Sequence, residues 1–191
     1  MRKIAVMEDF LTPERRKKVL DTAEKCGFAV DFYGRGAAPA EGLDQYEIIY
    51  GWCEPRDLKR ATALKWYCCG FAGVDQLSDD SLYASPDVVL SNSSGAYGLT
   101  ISEHILMVTL MLLRQMPTVQ EWMRRHDWSN EKPPMRSVCG SRITVLGTGD
   151  IGTEFARRAK AMGAAAVRGV RRTKKAADLA FDEIHTNDEL D

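Results

Sequence analysis

The sequence predicts an α/β protein built on parallel sheets, in two lobes, the second of which carries a dinucleotide-binding turn. Three observations predict it. Short apolar runs alternate with helix-like segments over the first 90 or so residues, the pattern of a parallel sheet with helices on both faces. Ile143 to Gly152 reads ITVLGTGDIG, a strand, a G-x-G-x-x-G turn and the start of a helix. Between the two lies a long segment whose Ile101, Ile105, Val108 and Leu112, with Leu106, Leu110 and Leu113, give a wide apolar face.

In chain order, Lys3 to Met7 is a first strand, too short for a signal sequence. Thr12-Pro13-Glu14 starts a helix with proline at its first position; the helix runs to about Cys26, where Gly27 stops it. Val19, Leu20 and Ala23 share its apolar face. Phe28 to Tyr33 is a second strand and Gly34 to Gly42 a loop rich in small residues and proline. Glu47 to Tyr50 is a third strand, Pro55 to Leu64 a short helix, Lys65 to Cys68 a fourth strand and Val88 to Leu90 a fifth. Two loops follow strands four and five, Gly70 to Asp75 and Ser91 to Gly98. In open parallel sheets ligands sit beyond the carboxyl ends of the strands, so both loops fall where a substrate would. Their small residues either aim backbone amides at an anion or merely turn the chain.

Thr100-x-x-Glu103 fits a capping box, placing the start of the long helix close to Ile101. Pro117 opens a further segment, Thr118 to Trp128, with Trp122 and Trp128 as packing anchors. Ser129 to Ser141 is a polar, proline-bearing loop.

Lysine and arginine total 26 against 27 aspartate and glutamate, a net charge of −1. That balance argues against a nucleic-acid or membrane-surface partner. The longest apolar run, Ile105 to Leu113, is too short to span a bilayer. Five cysteines (26, 53, 68, 69 and 139) show no C-x-x-C spacing. They read as reduced, mostly buried thiols of a cytoplasmic protein, with no metal site.

At the turn, Gly147 allows a tight bend, Gly149 lets backbone approach a pyrophosphate and Gly152 lets helix pack on strand. The apolar run Ile143, Val145 and Leu146 suits a strand buried on both faces. Amides of Gly147, Thr148, Gly149, Asp150, Ile151 and Gly152, with the helix dipole, make an anion site. The helix continues from Thr153 to Met162, with Phe155, Ala159 and Met162 toward a sheet. Gly163 caps it, and Ala164 to Val170 is a second strand. An acidic residue about 20 positions past the glycines would bind the adenosine ribose of NAD. Arg171 and Arg172 stand there instead, with Lys174 and Lys175 behind and no carboxylate before Asp178. A guanidinium suits a 2′-phosphate, which favours NADP over NAD; the bland reading is a solvated basic loop.

With these pieces placed, the chain resembles the D-isomer-specific 2-hydroxyacid dehydrogenases. The resemblance rests on KWYCCGFAGVDQL (Lys65 to Leu77), SNSSGAYGLTISEH (Ser91 to His104) and GSRITVLGTGDIGTEFARRAKAMGA (Gly140 to Ala164). It implies a flavodoxin-like parallel-sheet substrate lobe, residues 1–97, followed by an incomplete Rossmann dinucleotide-binding lobe, residues 98–191. It implies hydride transfer between NAD(P) and a small 2-oxo or 2-hydroxy acid. The substrate carboxylate would rest on backbone at Ala72, Gly73 and Val74, and the pyrophosphate over Gly147 to Gly152. A homodimer through the helix 99–116 is also implied.

That family uses an arginine, a glutamate and a histidine that fall later in its chains than Asp191, and no residue here matches their motifs. A Rossmann lobe has about six strands, whereas the sequence after Ser141 shows two strands and one helix. No catalytic residue is therefore assigned, and the expectation is a truncated amino-terminal portion with little or no turnover alone. His104 is read as a ligand contact or as packing, His126 and His185 as surface residues. The alternative is a non-catalytic dinucleotide-binding module, or a subunit completed by a partner chain.

Overall fold

The computed structural model describes residues 1–128, 133–173 and 179–190. They form two compact units, Met1–Ser94 and Gly95–Asp191.

The first unit is a five-stranded parallel sheet in the order β2-β1-β3-β4-β5. Its strands are β1 (Arg2–Met7), β2 (Phe28–Tyr33), β3 (Tyr46–Gly51), β4 (Trp66–Cys68) and β5 (Val89–Ser91). This is the flavodoxin-like order, with the crossover direction reversing between β1 and β3. Helix α1 (Pro13–Lys25) begins as its sequence dictates. Thr12 Oγ1 accepts from the Arg15 amide, Pro13 holds the first position, and Gly27 ends the turn at φ +76°. Lys17 and Asp21 pair at 2.8 Å along its exposed side.

One face of the sheet builds the core, where Ala5, Met7, Ile49 and Tyr67 meet Leu43, Leu58, Leu64 and Leu77. The Tyr67 hydroxyl sits inside it, accepting from the Cys53 amide at 3.0 Å, which ties the loop after β3 to β4. The expected helix Pro55 to Leu64 closes after one turn, α2 (Pro55–Leu58). Its continuation is turns, because Leu58, Ala61 and Leu64 all bury into the core.

The second unit opens with α3 (Gly98–Leu113) and α4 (Met116–Arg124). Helix α3 starts before the expected capping box. Thr100 lies inside it, donating its hydroxyl to the Tyr97 carbonyl, and Glu103 caps nothing. Gln115, at φ 56°, turns the chain into α4. Trp122 is half-buried, but Trp128 is 96% exposed and is no packing anchor among the described residues. Of the expected loop from Ser129 to Ser141, residues 129–132 lie outside the described residues.

A three-stranded parallel sheet follows, β6-β7-β8, made of β6 (Arg142–Leu146), β7 (Ala166–Arg171) and β8 (Glu183–Thr186). Helix α5 (Asp150–Ala161) crosses from β6 to β7, burying Phe155, Ala156 and Ala159 against Val167, Ala180 and Phe181. Met162 turns outward at the helix end.

Two expectations fail here. Strand β6 is not buried on both faces: Ile143 and Val145 pack under α5, while Thr144 is exposed and Leu146 is 74% exposed. It is an edge strand with one covered face. And the segment after Asp182, where the sequence showed no strand, carries a third one, β8. Asp182 prepares it, accepting from the Val167 amide and from Lys160 Nζ, both at 2.7 Å. A capping box does form at its end, where Glu189 accepts from the Thr186 amide at 2.7 Å.

Candidate functional site

The glycine turn joins β6 to α5. Gly147, at φ +99°, donates its amide to the Val170 carbonyl at 2.8 Å, which fastens the turn to the end of β7. Gly152 faces inward: a β-carbon there would overlap the Gly147 carbonyl oxygen and stand 3.2 Å from Val145. Gly147 and Gly149 face the other way, and a β-carbon on either meets nothing within 4 Å. Gly147 thus makes the bend at positive φ, Gly149 leaves its backbone open and Gly152 gives up its side chain to packing. Asp150 and Ile151 form the first turn of α5. The Asp150 carboxylate lies against Gly98, at the start of α3, in the space a side chain there would take.

Beyond the turn lies a cleft of about 390 Å³ lined by Gly147, Thr148, Gly149, Val170, Arg171, Arg172, Thr173 and Asn187. Arg171 and Arg172 are thus brought to the glycines, as the sequence anticipates. Lys174, Lys175 and Asp178 lie outside the described residues. Among the described residues, Thr148 Oγ1 and Arg171 Nε are buried without a hydrogen-bond partner. Two orphaned donors, two guanidinium groups and open backbone suit an anionic ligand such as a dinucleotide's phosphates. Thr173 and Asn187 were missed in the sequence. Asn187 carried no signal, because it follows a strand that polar residues disguise.

In the first unit, the loop after β4 is held by the loop after β5. Asn92 Nδ2 donates to the Ala72 carbonyl at 2.6 Å, and the Ser93 amide to the Phe71 carbonyl at 3.0 Å. The amides of Ala72, Gly73 and Val74 donate to no acceptor among the described residues. Ala72 and Gly73 are exposed. Beside Gly70, at the start of that loop, Glu8 is only 6% exposed, and its Oε1 accepts from the Asp9 amide at 3.0 Å. Glu8 was not anticipated either.

Neither His104, exposed on α3, nor His126 lines the glycine cleft. His185 stands on β8 with Nε2 at 3.2 Å from Glu183 and Nδ1 at 3.6 Å from Glu189. It belongs to a strand surface. The five cysteines are free. Cys53 and Cys69 are buried, but Cys26 and Cys139 are exposed, so the thiols are not mostly buried. Burial, reinforced by Asp57 and Glu54, pushes the Cys53 thiol up to about 12.

A parallel α/β unit with a glycine turn, basic strand end and anion-ready cleft defines the second half as a dinucleotide-binding unit. Residues 106–191 match the D-isomer specific 2-hydroxyacid dehydrogenase, NAD binding domain. A glyoxylate/hydroxypyruvate reductase from Arabidopsis thaliana is 23% identical over 164 residues, 84% of this chain and 49% of the relative. A D-isomer specific 2-hydroxyacid dehydrogenase family protein from Aeromonas salmonicida matches with a TM-score of 0.79 at 25% identity, covering 98% of this chain and 58% of that one. A D-isomer specific 2-hydroxyacid dehydrogenase from Xanthobacter autotrophicus, solved with NADPH and MES, gives 0.75 at 26% identity, with coverage of 98% and 58%. The second half of the chain thus matches the NAD binding domain of the D-isomer-specific 2-hydroxyacid dehydrogenases, and the chain as a whole is similar in fold to solved members of that family. It spans about half the length of the Arabidopsis relative and less than two thirds of either solved structure. No described helix is long and apolar enough to cross a membrane.

Proposed function

We propose that the chain supplies the substrate-binding and coenzyme-binding units of an NAD(P)-dependent 2-hydroxyacid dehydrogenase, with NADP as the favoured coenzyme. The observation that carries this is the cleft in which bare glycine backbone faces Arg171, Arg172 and a Thr148 hydroxyl that has no partner among the described residues. Amides at Gly147 to Gly152 would hold the pyrophosphate at the start of α5, and the two arginines the 2′-phosphate. The bound coenzyme supplies the hydride. The free amides of Ala72, Gly73 and Val74 would receive the carboxylate of a small 2-oxo or 2-hydroxy acid. Five free thiols suit a cytoplasmic, reducing setting.

Titration of the chain with NADPH and NADH, followed calorimetrically, tests the reading. NADPH should bind more tightly. Equal or tighter NADH binding removes the preference, and a folded chain that binds neither removes the coenzyme site.

We propose further that this polypeptide alone turns over little, since none of its histidines lines the glycine cleft. Reduction of a panel of 2-oxo acids at about 1 s⁻¹ or faster, the low end of ordinary enzyme turnover, would refute that.

The favoured oligomer is a homodimer through α3. Leu106, Met107, Leu110 and Met111 line a shallow apolar groove on this helix, flanked by Glu103 and Arg114. A two-fold axis across the groove sets each Glu103 toward the other copy's Arg114. Met107→Asp should convert a dimer to a monomer in sedimentation. A second reading, a subunit completed by a partner chain, is favoured by the open edge of β6, which offers unpaired backbone beside exposed Leu146. A stable complex with a chain that adds a strand there would support it.

A further inference from the structure

Outside the glycine cleft, the carboxyl edge of the first sheet carries a cation whose guanidinium makes no ion pair among the described residues. Arg35, in the exposed loop after β2, lays its guanidinium over the Phe71 ring, 4.4 Å from the centroid. Phe71 in turn meets Trp52 edge to face, with centroids 6.0 Å apart. Two acids stand nearby and accept hydrogen bonds from neutral N–H groups, without pairing with the guanidinium. Asp9 Oδ2 accepts from Arg35's own amide at 3.3 Å, and Glu54 Oε1 from Trp52 Nε1 at 2.8 Å. No carboxylate forms an ion pair with the Arg35 guanidinium among the described residues.

Three loops, after β2, β3 and β4, thus converge on one arginine and two aromatic rings. The last of these, Phe71, immediately precedes Ala72, Gly73 and Val74, whose amides are free. A guanidinium flattened on an aromatic face has already lost much of its rotamer freedom, so less is lost when its fork meets an anion. Its planar donors match a carboxylate or a phosphate two bonds at a time.

We infer that Arg35 is a specificity-determining residue, holding a second anionic group at the far end of a 2-oxo acid. This rests on the reading that the substrate's own carboxylate lies on the amides of Ala72 to Val74. The substrate class is then a 2-oxo acid with a terminal carboxylate or phosphate-like group, in preference to one with an apolar tail. Phe71 and Trp52 act as positioning residues for the guanidinium.

The test uses the full chain, with ligand binding followed by NMR at the amides of residues 72–74 and at the Trp52 indole N–H. Three probes separate the chemistries: 2-oxopentanoate, 2-oxoglutarate of equal carbon count but with a terminal carboxylate, and 3-phosphonopyruvate. At least one of the two dianionic probes should bind about tenfold more tightly than 2-oxopentanoate, and should move both the loop amides and the indole. The one that does so identifies the terminal group. Arg35→Gln, a substitution on an exposed loop, should abolish that advantage, leave 2-oxopentanoate binding unchanged and leave the melting temperature unchanged. Equal affinities for all three probes, or an advantage that survives Arg35→Gln, overturns the inference about Arg35 while leaving the loop reading intact. Loop amides that respond to no probe overturn both.

Discussion

A β-carbon on Gly152 would overlap the carbonyl oxygen of Gly147. The turn is thus folded onto the first residues of α5, with no volume to spare on its inner side. Gly152→Ala should overpack this contact, costing roughly 1–3 kcal/mol and lowering the melting temperature. Gly149→Ala makes the opposite case. With φ −81° and nothing within 4 Å of its added β-carbon, it should fold as the parent does. The added methyl would stand in the ligand's space, so NADPH binding should still weaken at least tenfold. Paired thermal melts and NADPH titrations separate the two effects; equal destabilisation by both substitutions would contradict this account of the turn.

Coenzyme preference should reside in the basic end of β7. Arg171→Gln and Arg172→Gln each remove a cation from the cleft that Gly147 and Gly149 line. Loss of a charge-assisted hydrogen bond, about 1.5–3 kcal/mol, predicts roughly 10- to 150-fold weaker NADPH binding. NADH, lacking the 2′-phosphate, should be almost unaffected. Parallel losses for the two coenzymes would place these arginines outside the phosphate contact.

The Asp182 carboxylate links the end of α5 to the start of β7. Lys160 Nζ and then the Val167 amide hold its pKa below the ordinary aspartate range. Its folded pKa lies below its unfolded one, so the stabilisation is fully present above about pH 4, the ordinary aspartate value. It is lost as pH falls through the lowered folded value. Asp182→Asn should therefore melt at a lower temperature than the parent at pH 7, and the gap should close in acid. Melting curves from pH 7 down to about pH 2.5 will show this; a gap independent of pH would mean that the charge contributes nothing.

Thiol reactivity should sort the cysteines by depth. Cys26 and Cys139 are exposed and should react promptly with a maleimide at mild pH. Cys53 and Cys69 are buried, and the Cys53 thiol is pushed up to about 12, so both should react only on unfolding. Mass mapping of labelled peptides in native buffer checks this; early labelling at Cys53 would mean that the loop after β3 opens.

Much of this architecture was legible in the chain because its signals are local. Thr12-Pro13 starts α1, Gly27 and Gly163 stop helices at positive φ, and the strand, glycine turn and helix at 142–161 follow from neighbouring residues. Errors arose where a local pattern met a competing long-range contact. Thr100 and Glu103 have capping-box spacing, yet α3 starts earlier, where Gly98 gives room to the Asp150 carboxylate. The apolar run at Ile143 to Leu146 looked doubly buried, but only one face of β6 is covered. Strand β8 was hidden because Glu183 and His185 occupy its outer face, leaving only Ile184 to pack inward.

The sequence by itself determined where backbone must turn, where it must stay open and where cationic side chains would gather. Those properties depend on φ, on the absence of a β-carbon and on charge, all carried by residues within a few positions of each other. Only the tertiary structure decided that Asn187 joins the arginine cleft, that Asn92 holds the Ala72 carbonyl and that Arg35 lies on Phe71. Each of those contacts joins residues at least 15 positions apart, brought together by parallel strand pairing, and no local spacing encodes them.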